Sequence, residues 1–97
     1  MNKYGVRYTS QFKKDLKAAI KQGFDVREMN KVIVLIAQGT NEKLLCEKYS
    51  DHALKGKWKG YRECRIRPDW LLVYEIFENT MILSLTRTGS HSELFKM

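Results

Sequence analysis

Residues 70–77 read Trp70-Leu71-Leu72-Val73-Tyr74-Glu75-Ile76-Phe77, a run in which apolar side chains fill consecutive rather than alternating positions. Successive residues of a β-strand project to opposite faces of the sheet, so this strand is apolar on both faces. The sequence therefore predicts a central strand here, with helices packed on one face and another part of the chain on the other.

Two further segments rich in branched and aromatic residues, 61–66 and 81–88, lie on either side of this strand. The breaks between the three segments are Arg67-Pro68-Asp69 and Glu78-Asn79-Thr80, which have the composition of tight turns. The second half of the chain is therefore expected to form an antiparallel β-meander.

The first half predicts one strand followed by a two-helix hairpin. Residues 4–8 alternate between apolar and other side chains, which is typical of a half-buried strand. A helix capped by Ser10 is expected to end at Gly23, and a second helix capped by Asp25 to end at Gly39. The predicted order is β-α-α-β-β-β, an α+β domain.

Shorter signals refine this order. Glu28 is the expected capping-box partner of Asp25, and Ser90 with Glu93 can cap a final turn that buries one of the two apolar residues after it. Residues 41–49 allow a helical turn but are too few to assign.

Length and composition predict a single cytoplasmic domain over residues 1–97. The apolar runs are far shorter than the roughly 20 residues of a membrane-spanning helix, and the first residues lack the apolar core of a secretory signal. Cys46 and Cys64 have no zinc-binding spacing, so we expect two reduced, packed thiols and no metal site.

The net charge of +7 favours an anionic partner, either nucleic acid or an acidic protein. The charge is concentrated in residues 55–67, where six Lys and Arg residues accompany one acid, Glu63. An even spread would have favoured a basic surface that serves solubility alone, which remains the alternative.

The chain has 2 histidines, His52 and His91, each in a short polar segment near basic residues. Histidine has an unperturbed pKa of about 6.5, so it can act as an acid or a base near neutral pH. Metal-free RNA cleavage needs a base, an acid and cations that stabilise the phosphate. An isolated surface histidine is usually inert, but nearby Lys55 and Arg87 favour phosphate chemistry here. Asp69 follows a proline, so it is either a turn residue or part of the site.

Several side chains are candidates for binding RNA. Arginine can clamp phosphate by forked hydrogen bonds, which lysine cannot copy, and an aromatic side chain can stack on a base. Arg65 and Arg67 are expected to share one face of a strand, and Trp70 is expected to pack in the core. The candidates for RNA or phosphate contact are Lys55, Lys57, Lys59, Arg62, Arg65, Arg67, Arg87 and Trp58.

Four segments, 49–56, 60–63, 68–74 and 87–95, resemble the YafQ branch of the RelE/ParE toxin superfamily. The blocks Asp51-His52-Ala53-Leu54-Lys55-Gly56 and Arg87-Thr88-Gly89-Ser90-His91 carry the resemblance most specifically. It implies a RelE-like fold and a type II toxin–antitoxin toxin that cuts mRNA in the ribosomal A site without a metal or other cofactor. A cognate antitoxin would hold it inactive. This antitoxin is expected to be acidic and to cover residues 55–67, the basic strip.

The resemblance also implies site residues. It places His52, Asp69 and His91 in the active site, with Phe95 close by, and it implies a further histidine where this chain has Arg65. Arginine does not exchange protons near neutral pH. The working hypothesis makes His91 the general acid and His52 or Asp69 the base, with Arg65 and Arg87 as catalytic phosphate clamps.

Three other functions remain open. Arg65 could mark a weakened toxin; the chain could be a non-catalytic binder like the ParE branch, which acts on DNA gyrase; or it could be a plain RNA-binding module.

Overall fold

The fold in the computed structural model, which describes residues 2–95, is a five-stranded sheet with the three longer helices on one face and a short fourth helix on the other. The predicted order is confirmed, with a third helix and a two-residue strand added between the hairpin and the meander, and a 3-10 turn at Gly56–Trp58. The elements are β1 (Gly5–Tyr8), α1 (Ser10–Lys21), α2 (Val26–Gln38), α3 (Glu42–Tyr49), β2 (His52–Ala53), β3 (Arg62–Arg67), β4 (Trp70–Phe77), β5 (Ile82–Gly89) and α4 (His91–Leu94).

The strands lie in the order β1-β5-β4-β3-β2, so β4 is central as predicted. Strands β2 to β5 pair antiparallel, and β1 pairs parallel with β5, which makes the sheet mixed. Every residue from Trp70 to Tyr74 is at most 2% exposed. The apolar run of β4 therefore serves two cores at once.

The larger core lies between the sheet and the helices, on what we call the α1–α2 face. It combines Phe12 and Met29 of the helices with Leu72 and Tyr74 of β4. Trp70 also belongs to it, with its ring stacked on that of Phe24 at 4.6 Å, so its predicted core role is confirmed.

The smaller core lies on the opposite side of the sheet, the α4 face. Leu71 and Val73 of β4 are fully buried there beneath Leu94 of α4. Four partly buried side chains complete it: Leu54, Trp58, Tyr61 and Phe95. The α4 face is thus covered by short, polar-flanked segments, which leaves charged side chains at its rim accessible.

Two predicted caps are wrong and three are confirmed, among them Asp25, whose carboxylate accepts from the backbone N–H of Arg27 at the start of α2. Thr9, not Ser10, caps α1, because its hydroxyl accepts from the backbone N–H of Phe12. Glu28 makes no capping box with Asp25, because its carboxylate is held by Arg67. Gly39 ends α2 with φ 75° and Ser90–Glu93 form the predicted capping box.

Cys64 is buried as expected, but Cys46 is exposed on α3, where Leu45 is the residue that turns into the core. Both are free thiols. Within residues 2–95, none of the helices has the length and apolar character needed to cross a membrane.

Candidate active site

One row of paired residues crosses the sheet from β2 to β5. His52 pairs with Glu63, Glu63 with Val73, and Val73 with Arg87. Residues paired across antiparallel strands project from the same face, and Val73 is buried on the α4 face. His52 and Glu63 therefore belong to that face too, whereas the side chain of Arg87, next to a register shift between Val73 and Tyr74, turns to Asp15 of α1. Three strand spacings separate the Cα atoms of the two end residues by about 14 Å.

His52 is held by a backbone carbonyl and faces a buried carboxylate. Its Nδ1 lies 2.7 Å from the carbonyl oxygen of Ser50, which can only accept, so Nδ1 carries a proton. Its Nε2 lies 3.9 Å from Oε1 of Glu63, whose side chain is 6% exposed. The arrangement makes Nε2 the position that can exchange a proton. Sequence reasoning missed Glu63 and treated it only as the lone acid of the basic strip.

The start of β2 is fixed by a buried network around Asp51. Its carboxylate accepts hydrogen bonds from Nε of Arg62 at 2.8 Å and from the hydroxyl of Tyr74. Burial of Tyr74, followed by the negative charge of Asp51, raises the pKa of its phenol, so the hydroxyl remains a donor. Arg62 and Tyr74 are register partners on β3 and β4. Asp51 thus ties the residue before His52 to two strands at once.

His91 begins α4 beside Asp69 of the β3–β4 turn. Oδ1 of Asp69 accepts from the backbone N–H of His91 at 3.3 Å and lies 3.7 Å from Nδ1 of its ring. The two side chains are 51% and 73% exposed. Asp69 therefore does more than satisfy its own turn: it orients the imidazole and leaves Nε2 available on the surface.

An aromatic cluster joins the basic strip to His91. The ring of Trp58 meets those of Tyr61 and Phe95 edge-on, each at 5.4 Å between centroids. The Phe95 ring lies 6.3 Å from the imidazole of His91. Phe95 therefore lies beside His91, and Trp58 is half-buried and packed against other rings rather than exposed for stacking.

Four cations lie exposed around these groups. Arg65 pairs with Leu71, which places it on the α4 face, about 7 Å along β3 from Glu63. Among residues 2–95, its side chain makes no hydrogen bond or ion pair. The exposed cations are Lys55, Lys57, Lys59 and Arg65.

Three of the predicted phosphate ligands are each paired with a carboxylate of the protein. Arg62 is paired with Asp51, Arg67 with Glu28 of α2, and Arg87 with Asp15 of α1. The expectation that Arg65 and Arg67 share a face is wrong, because a register shift between them rotates Arg67 onto the α1–α2 face. Arg62 lies on that same face, so the geometry gives neither residue a place beside the histidines.

A family profile decides the relationship of this chain to known proteins. The profile described as "Bacterial toxin of type II toxin-antitoxin system, YafQ" matches residues 4–96. The chain belongs to the YafQ toxin family.

Individual YafQ proteins support this assignment along nearly the whole chain. The mRNA interferase toxin YafQ of Escherichia coli strain K12 is 37% identical over 90 residues, which cover 93% of this chain and 94% of the relative. The crystal structure of YafQ from E. coli strain BL21(DE3) superposes with a TM-score of 0.85 at 35% identity, over 95% of this chain and 98% of that one. YafQ in the E. coli DinJ–YafQ toxin–antitoxin complex gives a TM-score of 0.81 at 36% identity, over 96% and 98%. The YafQ-like α+β fold expected from the sequence is confirmed.

The capping box of α4 predicts that the stability of this helix decreases in acid. The hydrogen bond from the backbone N–H of Ser90 lowers the pKa of the Glu93 carboxyl. A lowered folded-state pKa stabilises α4 above the usual carboxyl range, and this stabilisation is lost as the pH falls through the folded value. We expect amide exchange at residues 90–94 to accelerate as the pH falls below the usual carboxyl range.

The Glu93→Gln variant tests the cause, since its amide accepts the same hydrogen bond without titrating. Its exchange at residues 90–94 should be independent of pH after correction for intrinsic rates, whereas Glu47→Gln, on the exposed side of α3, should behave as wild type. An unchanged acid response in Glu93→Gln would contradict the assignment.

Proposed function

We propose that this chain is an mRNA endonuclease that cuts ribosome-bound message in the A site by metal-independent acid/base catalysis and is neutralised by a cognate antitoxin. The observation that carries the proposal is that both imidazoles lie on the α4 face or at its edge, 3.9 and 3.7 Å from a carboxylate oxygen, with the exposed Arg65 on the same face. Membership of the YafQ family and the name of its E. coli relative, an mRNA interferase, support it. A cytoplasmic location follows from the proposed target.

The geometry suggests how the base acts. Nε2 of His52 takes the proton of the ribose 2′-hydroxyl, whose oxygen then forms a bond to the adjacent phosphorus. Glu63 lies beside Nε2 and balances the positive charge that the imidazole gains. We prefer His52 to Asp69 as the base, because Asp69 is already engaged by the backbone of His91.

The acid acts on the other side of the phosphorus. His91 donates a proton to the 5′-oxygen as the phosphorus–oxygen bond breaks, which leaves a 2′,3′-cyclic phosphate and a 5′-hydroxyl. Arg65 and Arg87 stabilise the negative charge on the phosphoryl oxygens in the transition state. Each group that the reaction needs is supplied by a protein side chain.

The antitoxin is proposed to bind the exposed cations. The E. coli complex of YafQ with DinJ supports an antitoxin partner, because a member of the same family forms a toxin–antitoxin complex. A partner that covers Lys55, Lys57 and Lys59 should carry acidic residues, since the chain has a net charge of +7.

Translating ribosomes give the direct test. We expect the protein to create new 5′ ends on ribosome-bound mRNA, mapped by primer extension, at unchanged rate in EDTA once ribosomes have been stabilised with a polyamine. Intact message with retained RNA binding would support a plain binding module instead. Intact message without RNA binding would support a ParE-like binder, and loss of cleavage in EDTA alone would refute metal independence.

Arg65 is expected to contribute directly to cleavage. Arg65→Ala should lower kcat by about 10²-fold, because it removes a charge aimed at the developing oxyanion. Arg67→Ala is the matched control two positions away: Arg67 lies on the α1–α2 face, bound to Glu28, and its loss should leave the rate within about threefold.

The Arg65→His variant decides whether the arginine weakens the toxin. We expect a rate within about tenfold of wild type, since the acid and base lie elsewhere. A rate higher by two orders of magnitude would show that Arg65 impairs the site.

A further inference from the structure

Asp15 of α1 is a nearly buried carboxylate that the acid/base scheme leaves unused. Its side chain is 11% exposed and accepts hydrogen bonds from three residues. The donors are Nε of Arg87 at 2.7 Å, Nη2 of Arg87 at 3.3 Å, the backbone N–H of Thr88 at 3.2 Å and Nε2 of Gln11 at 3.0 Å. A buried carboxylate needs hydrogen-bond donors of this kind to offset its loss of water. Most of the donors to Asp15 belong to β5.

Within residues 2–95, the hydrogen bonds of the Arg87 guanidinium lie along one of its edges. A guanidinium presents a side edge, Nε with Nη2, and an end edge, Nη1 with Nη2. Asp15 takes the side edge, so Nη1 and the second hydrogen of Nη2 remain for another acceptor. The Arg87 side chain is 26% exposed, so it is not sealed in the core.

The two sides of Arg87 have different surroundings. A cavity of about 130 Å³ adjoins the Asp15 side and is lined by two carboxylates, Asp15 and Glu93, which repel an anion. On its other side, Arg87 is in the row that contains Glu63 and His52.

We propose that Asp15 is a positioning residue for RNA cleavage, which grips the side edge of Arg87 so that the end edge is presented to the scissile phosphate. The inference rests on the proposed endonuclease function and extends it to a residue on a different face and helix. A preset guanidinium loses no further freedom when the transition state forms, so the benefit appears in kcat rather than KM.

A double-mutant cycle tests this with the full-length protein on translating ribosomes. Asp15→Asn alone should lower kcat by about 10- to 100-fold with KM changed less than about threefold, since misplacement of a catalytic group by about 1 Å has this effect. In the Arg87→Ala background, the same substitution should change kcat by less than about twofold. Equal losses in both backgrounds would overturn the proposal, because a general structural role does not depend on Arg87. Asp25→Asn, which alters an exposed carboxylate bound to Arg27, is the control and should cleave as wild type.

A measurement without cleavage separates this proposal from the function on which it rests. In NMR spectra of the wild type, a 2′-O-methyl RNA oligonucleotide should shift the Nη signals of Arg87 and leave its Nε–H slow to exchange. Asp15→Asn should accelerate that exchange at least tenfold and abolish the Nη shift. If the wild type does not cleave but shows these signals, positioning stands and the endonuclease assignment fails. If Arg87 is equally ordered in both proteins, the role of Asp15 is refuted whatever the activity.

Discussion

His91→Ala is expected to slow mRNA cleavage by about two to four orders of magnitude while RNA affinity changes little. This is the usual contribution of a positioned proton donor to the rate. One half-exposed imidazole adds little contact area to the bound RNA, so the affinity should change little. Single-turnover cleavage at saturating ribosome concentration measures the chemical step, and a gel-shift titration with uncleavable RNA measures affinity.

A His91→Gln variant controls for shape, since the amide retains hydrogen bonding without proton exchange; it should be as slow as the alanine variant. An equal loss of affinity and rate in both variants would mean that His91 binds RNA rather than protonating the leaving oxygen.

Asp51→Ala is expected to destabilise the fold by about 2–3 kcal/mol. It leaves the buried hydroxyl of Tyr74 without an acceptor, which alone costs about 1–3 kcal/mol. Loss of the ion pair with Arg62 adds less, because that side chain is 42% exposed and screened by water. For a domain of this size, the melting temperature should fall by about 8–20 °C in calorimetry.

Asp25→Ala makes the same chemical change at an exposed pair. Asp25 binds Arg27 and caps α2 at the surface, so its loss should lower the melting temperature less than the loss of Asp51 does. Equal melting temperatures for the two variants would show that the Asp51 network adds nothing beyond a surface ion pair. Asp51→Ala should also free the His52 ring, seen as loss of distinct Nδ1 and Nε2 signals in ¹⁵N spectra.

The central strand and the meander were predictable because they depend on local rules. Leu71 to Tyr74 are apolar at successive positions, which identifies a central strand from the sequence alone. The turns around Pro68 and Asn79 follow from their composition. The parallel position of β1 was not predictable, because a four-residue strand carries no signal for its partner. The assignment of Ser10 as a cap failed by one residue, since Thr9 has the same capping chemistry.

The candidate site likewise contains residues that the sequence predicts and residues that it does not. His52, Asp69 and His91 follow from residue type and family blocks, and the structure places each on the α4 face or at its edge. Glu63 was missed although strand alternation puts it on the same side as Arg65. Arg67 was misplaced because no sequence rule announces the register shift after Arg65. Asp15 could not be found at all, since its partner Arg87 lies 72 positions away.

β1 is synthesised first, but its neighbour in the sheet is β5, the last strand to be made. The hydrogen bond from the Thr9 hydroxyl to the Thr86 carbonyl closes a separation of 77 positions. Contacts this distant form late in folding, and Arg87 and His91 belong to the same late segment. For a chain proposed to cut ribosome-bound mRNA, the proposed site is therefore incomplete until β5 and α4 have been synthesised.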